Sequence, residues 1–126
     1  MPYTVEFDAS IPCVRALLTG TFDLEAAREC ARAAVEAAKE NGCHNILYDG
    51  RQAANAMPVS DLYRLPVLLE ADGIGRSYRR ALLVSKQTQD LRFYETASRN
   101  RGYAVRVFDD ETSAIIWLTE SRERTS

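Results

Sequence analysis

Few residues of this 126-residue chain have the type and spacing to do chemistry. The single histidine, His44, adjoins Cys43, and a Cys–His couple can supply a nucleophile and its base. The two lie at the start of a predicted strand, however, where adjacent side chains point to opposite faces. A metal would need two or three further ligands, and none stands at ligand spacing. Cys13, Cys30 and Cys43 show no Cys-x-x-Cys pattern and read as small, reduced hydrophobes. Phosphate-binding and nucleophile-elbow glycine motifs are absent; Gly73-Ile74-Gly75 lacks a third glycine and follows a predicted helix. The residues therefore predict no catalytic group, no metal site and no cofactor.

Three polar residues remain as candidates for binding a ligand or phosphate. Asp49 and Arg51 are expected just past the carboxyl end of a central strand, the edge where open α/β sheets place ligand sites. Asp49 could orient a ligand hydroxyl, and Arg51 could hold a phosphate or carboxylate bidentately. Ser60 is expected to open the following helix, where the dipole would stabilise an added phosphoryl group. Each also has a structural reading: Asp49-Gly50 as a turn, Arg51 in a surface ion pair, and Ser60 as an N-cap.

The elements that would position them follow from periodicity. Tyr3 to Asp8 alternates apolar and polar, and Ile11 to Thr19 follows after a short turn, so the two predict an antiparallel hairpin. Gly20 is expected to end the second strand. Asp23 can cap a helix reaching about Glu40, with Leu24, Ala27, Ala31, Ala34, Val35 and Ala38 facing inward. Cys43 to Tyr48 predicts a third strand closed by Asp49-Gly50, and Arg51 to Ser60 a loop. Ser60 is expected to cap a second helix that Pro66 kinks or divides. Ala81 to Val84 is apolar on both faces, which predicts a central strand. Thr88 or Asp90 starts a third helix, Tyr103 to Phe108 makes a fifth strand, and Asp109-Asp110-Glu111 favours a last helix start. The order β-β-α-β-α-β-α-β-α predicts an α/β domain over residues 1–126: a five-stranded mixed sheet, its first strand antiparallel and the rest parallel, with four helices.

A 46% hydrophobic, 27% charged composition excludes a disordered chain. No apolar run approaches the roughly twenty residues of a membrane span, and the amino terminus has no signal-peptide pattern. With unpaired cysteines, this predicts a cytoplasmic protein. The net charge of −2 is uneven: residues 76–106 carry 8 basic and 2 acidic groups, a stretch expected to form a solvated, salt-bridged face. The scattered aromatics form no base-stacking platform, and the acidic balance argues against nucleic acid. Sequential right-handed crossovers are expected to set the helices on one face of the sheet. The other face would then expose the apolar second and fourth strands and favour a homodimer.

The element order resembles the SpoIIAA-like (STAS/SEC14-like) superfamily, which includes anti-sigma-factor antagonists. The run Leu91-Arg92-Phe93-Tyr94-Glu95-Thr96-Ala97-Ser98-Arg99-Asn100-Arg101-Gly102, then Val105 to Asp110 and Ala114 to Leu118, is similar to the ending of small bacterial members. That family's regulatory motif is Asp-Ser-[Ser/Thr]-Gly at the start of the second helix. Here Met57-Pro58-Val59-Ser60-Asp61-Leu62 stands in its place, with Ser60 alone matching. The resemblance implies a non-enzymatic regulatory domain that binds a protein partner or a small ligand. The alternative is a small-molecule domain that takes a lipid, nucleotide or other anion on the loop after the third strand, from Asp49 to Ser60.

Overall fold

A computed structural model describes residues 3–120 of the chain. Strand β1 (Tyr3–Asp8) lies antiparallel to β2 (Cys13–Phe22). Strands β3 (Asn45–Asn55), β4 (Arg79–Leu83) and β5 (Ala104–Phe108) then pair in parallel, side by side in chain order. Helices α1 (Leu24–Glu40), α2 (Val59–Ala71), α3 (Gln89–Asn100) and α4 (Glu111–Thr119) complete the predicted mixed sheet with four helices.

Three helix starts carry the side-chain cap that the sequence suggests. Asp23, Thr88 and Asp110 each accept from the backbone N–H three residues on, at Ala26, Leu91 and Ser113, satisfying donors the helix cannot. The second helix differs. Pro58 stands at its N-cap with no side-chain hydrogen bond, and Ser60 is an exposed residue inside the first turn. Pro58 suits that place because its preset φ leads into the helix and no donor is lost. Pro66 neither divides nor ends α2, which runs unbroken from Val59 to Ala71. Pro66 is itself buried beside Leu62, Leu65 and Leu69, so packing outweighs the backbone hydrogen bond it forfeits.

The largest departures concern β2 and β3. Gly20 does not end β2; it takes φ 75° within the strand and pairs with Ala53, while the register against β3 shifts just before it, between Leu17 and Thr19. Asp49-Gly50 does not close β3 either. The strand continues to Asn55, with Thr19 to Phe22 pairing against Gln52 to Asn55. The first half of the expected loop, Arg51 to Asn55, is thus strand, because its backbone groups find a ladder on β2 that no local signal announces.

The helices do not share one face. Leu62, Leu65 and Leu69 of α2, Tyr94 of α3, and Ala31, Ala34 and Val35 of α1 pack on Val14, Ile46 and Val105. Helix α4 lies on the opposite face, where Ala114 and Leu118 seal Cys13, Leu47, Ala81 and Leu83 from solvent. The apolar face expected to remain open is therefore closed. Glu111, at the head of α4, receives Arg15 from β2 at 2.9 Å. At the helix's far end, Arg79 of β4 donates to the Trp117 carbonyl at 2.7 Å, completing orphan groups of the last turn.

Candidate functional site

Strand β4 is short, and it decides where the molecule is hollow. Its last residue, Leu83, pairs with Asp49 of β3, but β3 runs six residues further, paired only to β2. Between that extension and the turn from Val84 to Thr88 the sheet splits. Helices α1, α2 and α3 roof the gap, and a cavity of about 460 Å³ results, within the roughly 300–1,000 Å³ range of small-molecule sites. Its walls are Leu18 and Phe22 of β2, Leu62, Leu65 and Leu69 of α2, Leu82 of β4 and Leu91 of α3. Ala54, Asn55, Ser85, Lys86 and Thr88 line it and are exposed, so the mouth lies at the carboxyl ends of the parallel strands. This is the edge at which an α/β sheet usually binds ligands.

Of the polar side chains that line this largely apolar chamber, two are buried with a polar atom that lacks a partner among the described residues. Arg80, near the start of β4, is 2% exposed, and its Nε has no hydrogen-bond partner among the described residues. The Tyr48 hydroxyl, on β3, is likewise buried and without a partner among the described residues. Burial pushes the Tyr48 phenol up, and the neighbouring Arg80 cation partly opposes that. Buried charge is normally paired, since a guanidinium away from water and without a counter-charge is destabilising. Beneath it Tyr103 donates to Glu70, which also pairs with Arg76 at 2.8 Å, so that carboxylate is already engaged. Cys30 also lines the cavity, and burial pushes its thiol up to about 12.

The residues singled out from the sequence lie elsewhere. Asp49 and Arg51 come together, joined by two hydrogen bonds of 3.0 and 2.8 Å, and Arg51 also reaches Glu111 at 3.3 Å. With Arg15 and Asp8 they form an ionic chain along the α4 face, Arg15 meeting Glu111 at 2.9 Å and Asp8 at 3.4 Å. The Arg51 guanidinium holds the Asp49 carboxyl below its ordinary range. Ser60 stands at the head of α2, on the other side of the sheet, and does not converge with them. Gly50, between Asp49 and Arg51, does line the cavity. The expected edge is thus hollow, but the buried, unpartnered polar groups of the cavity are those of Tyr48 and Arg80. A signal for Arg80 was present: it shares the face of Leu82 on a strand apolar on both sides.

No family model matches the chain, and no curated protein does. Solved structures do. The unphosphorylated form of the anti-sigma factor antagonist SpoIIAA superposes with a TM-score of 0.56 at 18% identity, covering 94% of this chain and 99% of that one. The fold is SpoIIAA-like. Two further structures with the SpoIIAA-like fold agree. The phosphorylated form of the Bacillus cell-fate determinant SpoIIAA gives 0.53 at 18% identity, over 90% of this chain and 96% of that one. An uncharacterised protein of the DUF3478 family from Shewanella loihica PV-4 gives 0.52 at 17% identity, over 92% and 91%.

Proposed function

We propose that this SpoIIAA-like domain is a binding domain that holds a small, largely apolar molecule and performs no chemistry on it. The observation that carries this reading is the cavity, walled by leucines and phenylalanine and open at the carboxyl ends of β3 and β4. Its lining groups are suited to anchorage. The Tyr48 phenol and the Cys30 thiol both stay protonated at neutral pH, because burial disfavours their charged forms. The three free cysteines are all buried, which fits a reducing cytoplasm.

The test fills the cavity. A Cβ added at Gly50 would meet the Leu83 carbonyl oxygen at 3.5 Å and the side chains of Leu18 and Leu82, both lining residues, at 3.6 and 3.8 Å. These are ordinary contacts, so Gly50→Leu should fold and project its side chain into the space. An amphiphilic fluorescent probe such as anilinonaphthalene sulfonate should bind the wild-type protein and bind Gly50→Leu at least tenfold more weakly. Equal binding by two equally folded proteins would remove the reading.

A second reading, a regulatory domain that docks on protein, has its own observation. Val59, Tyr63 and Val67 recur every fourth residue on α2 and are exposed, forming one stripe. Exposed Phe93 of α3 stacks on Tyr63 with ring centroids 5.9 Å apart. Ser60 lies exposed beside Val59 in the first turn of α2, where a phosphate would meet free N–H groups and add charge next to the stripe. A second copy or another protein would bury this stripe. Sedimentation tests the homodimer directly: the wild type should associate at high micromolar concentration and Val67→Asp should not. A wild type that stays monomeric there removes the self-association.

A further inference from the structure

We infer that the ligand is an amphiphilic monocarboxylate of the fatty-acid type, held head-down with its carboxylate on Arg80 and the Tyr48 hydroxyl. The inference rests on the binding-domain reading above and adds the chemical class. Three observations carry it. Arg80 is 98% buried in a cavity whose walls are otherwise mostly aliphatic, and no ion pair among the described residues includes it. Its Nε and the Tyr48 hydroxyl are both without partners there. Finally, the two are diagonal neighbours on one face of paired strands, since Tyr48 of β3 stands opposite Leu82 and Arg80 lies two residues before Leu82.

The geometry selects the head group. A guanidinium is a planar fork of donors that matches a carboxylate with two parallel hydrogen bonds. A phenol in its neutral form adds a third donor. One buried cation balances one negative charge, so a monoanion leaves the chamber neutral. The other charged residues lining the cavity, Lys86 and Asp90, are exposed and opposite in sign, so they add no net charge. A neutral ligand would leave Arg80 without its counter-charge, and a dianion would bring one charge too many.

The geometry also orients the tail. Arg80 is the second residue of β4, whereas Leu82 and Val84 lie further along towards the carboxyl end and also line the cavity. A head seated on Arg80 therefore points its chain past Leu82 and Leu91 towards the mouth. Each further methylene buried should tighten binding about fourfold, until the chain emerges into water.

Titration calorimetry with octanoate, dodecanoate, dodecyl phosphate and dodecanol, below their micelle-forming concentrations, tests this. Dodecanoate should bind more tightly than dodecanol, dodecyl phosphate and octanoate. Arg80→Met, which keeps the volume and removes the charge, should weaken dodecanoate by roughly 10- to 150-fold and leave dodecanol within about twofold. Tyr48→Phe, which deletes one hydroxyl, should weaken dodecanoate by about 2- to 13-fold, and it serves if Arg80→Met fails to fold. Dodecanol or dodecyl phosphate binding as tightly as dodecanoate, with Gly50→Leu blocking them, overturns the carboxylate and leaves the binding domain standing. Dodecanoate binding that ignores Arg80→Met and Tyr48→Phe overturns it too. Absence of binding by every probe, or binding that ignores Gly50→Leu, overturns both readings.

Discussion

Arg80 has opposite effects on folding and on binding. Among the described residues its charge is buried without a counter-charge, so the ligand-free fold carries the desolvation cost alone. Arg80→Met should therefore raise the unfolding free energy of the ligand-free protein, as read from a denaturant titration. The thiols give a second test at this scale. Burial pushes Cys13 up to about 11 and Cys30 up to about 12. At pH 8 the reactive thiolate is scarce at both. A disulfide-exchange reagent should modify Cys13 and Cys30 slowly in the native protein and rapidly once it is unfolded. Fast native modification at pH 8 would contradict the packing described. From sequence, Arg80 disappears into a run of basic residues that looks solvated. Its burial follows only once β4 is central, because alternation then sends it to the same side as Leu82.

At the scale of elements, the capping residues make an internal comparison. Asp23 caps α1 with its side chain, whereas Ser60 caps nothing. Asp23→Ala should cost about 1 kcal/mol, and Ser60→Ala should stay within about 0.5 kcal/mol of the wild type. Thermal melts of the two variants separate them. The starts of α1, α3 and α4 were legible because a cap is a local event: one side chain and an N–H three residues on. The end of β3 was not. Asp49-Gly50 has the composition of a turn, yet the strand passes through it because β2 offers partners from Thr19 to Phe22. That ladder is long-range, and no window around Asp49 contains it. The candidate site shared this fate. Its place at the carboxyl ends of the strands was readable, but its polar residues depended on where β3 and β4 stop.

On the scale of the whole molecule, the acidic groups set the response to pH. Asp8, Asp49, Asp72 and Asp110 all titrate below the ordinary carboxylate value. The leading causes are hydrogen bonds from Ser10 to Asp8, Arg51 to Asp49, Arg28 to Asp72 and Ser113 to Asp110. A carboxyl whose folded pKa is depressed contributes stability above its unfolded value. It loses that contribution as pH falls through the folded one. The melting temperature should therefore vary little between pH 6 and 8 and fall progressively below about pH 4. A rise in melting temperature below pH 4 would show that these carboxyls are not held as described.

Helix α4 follows all five strands in chain order and covers one face of the sheet. During synthesis that face stays bare until the ribosome has released α4, because among the described residues Cys13, Leu47, Ala81 and Leu83 have no other helix in their cluster. A nascent chain arrested after Phe108 would carry a formed hairpin and central strands with an apolar floor still wet, the kind of surface chaperones bind. Arg15 and Arg51 are already in place to receive Glu111 when it emerges. Docking of α4 is then steered by charge at the head of the helix and fastened by Arg79 at its tail.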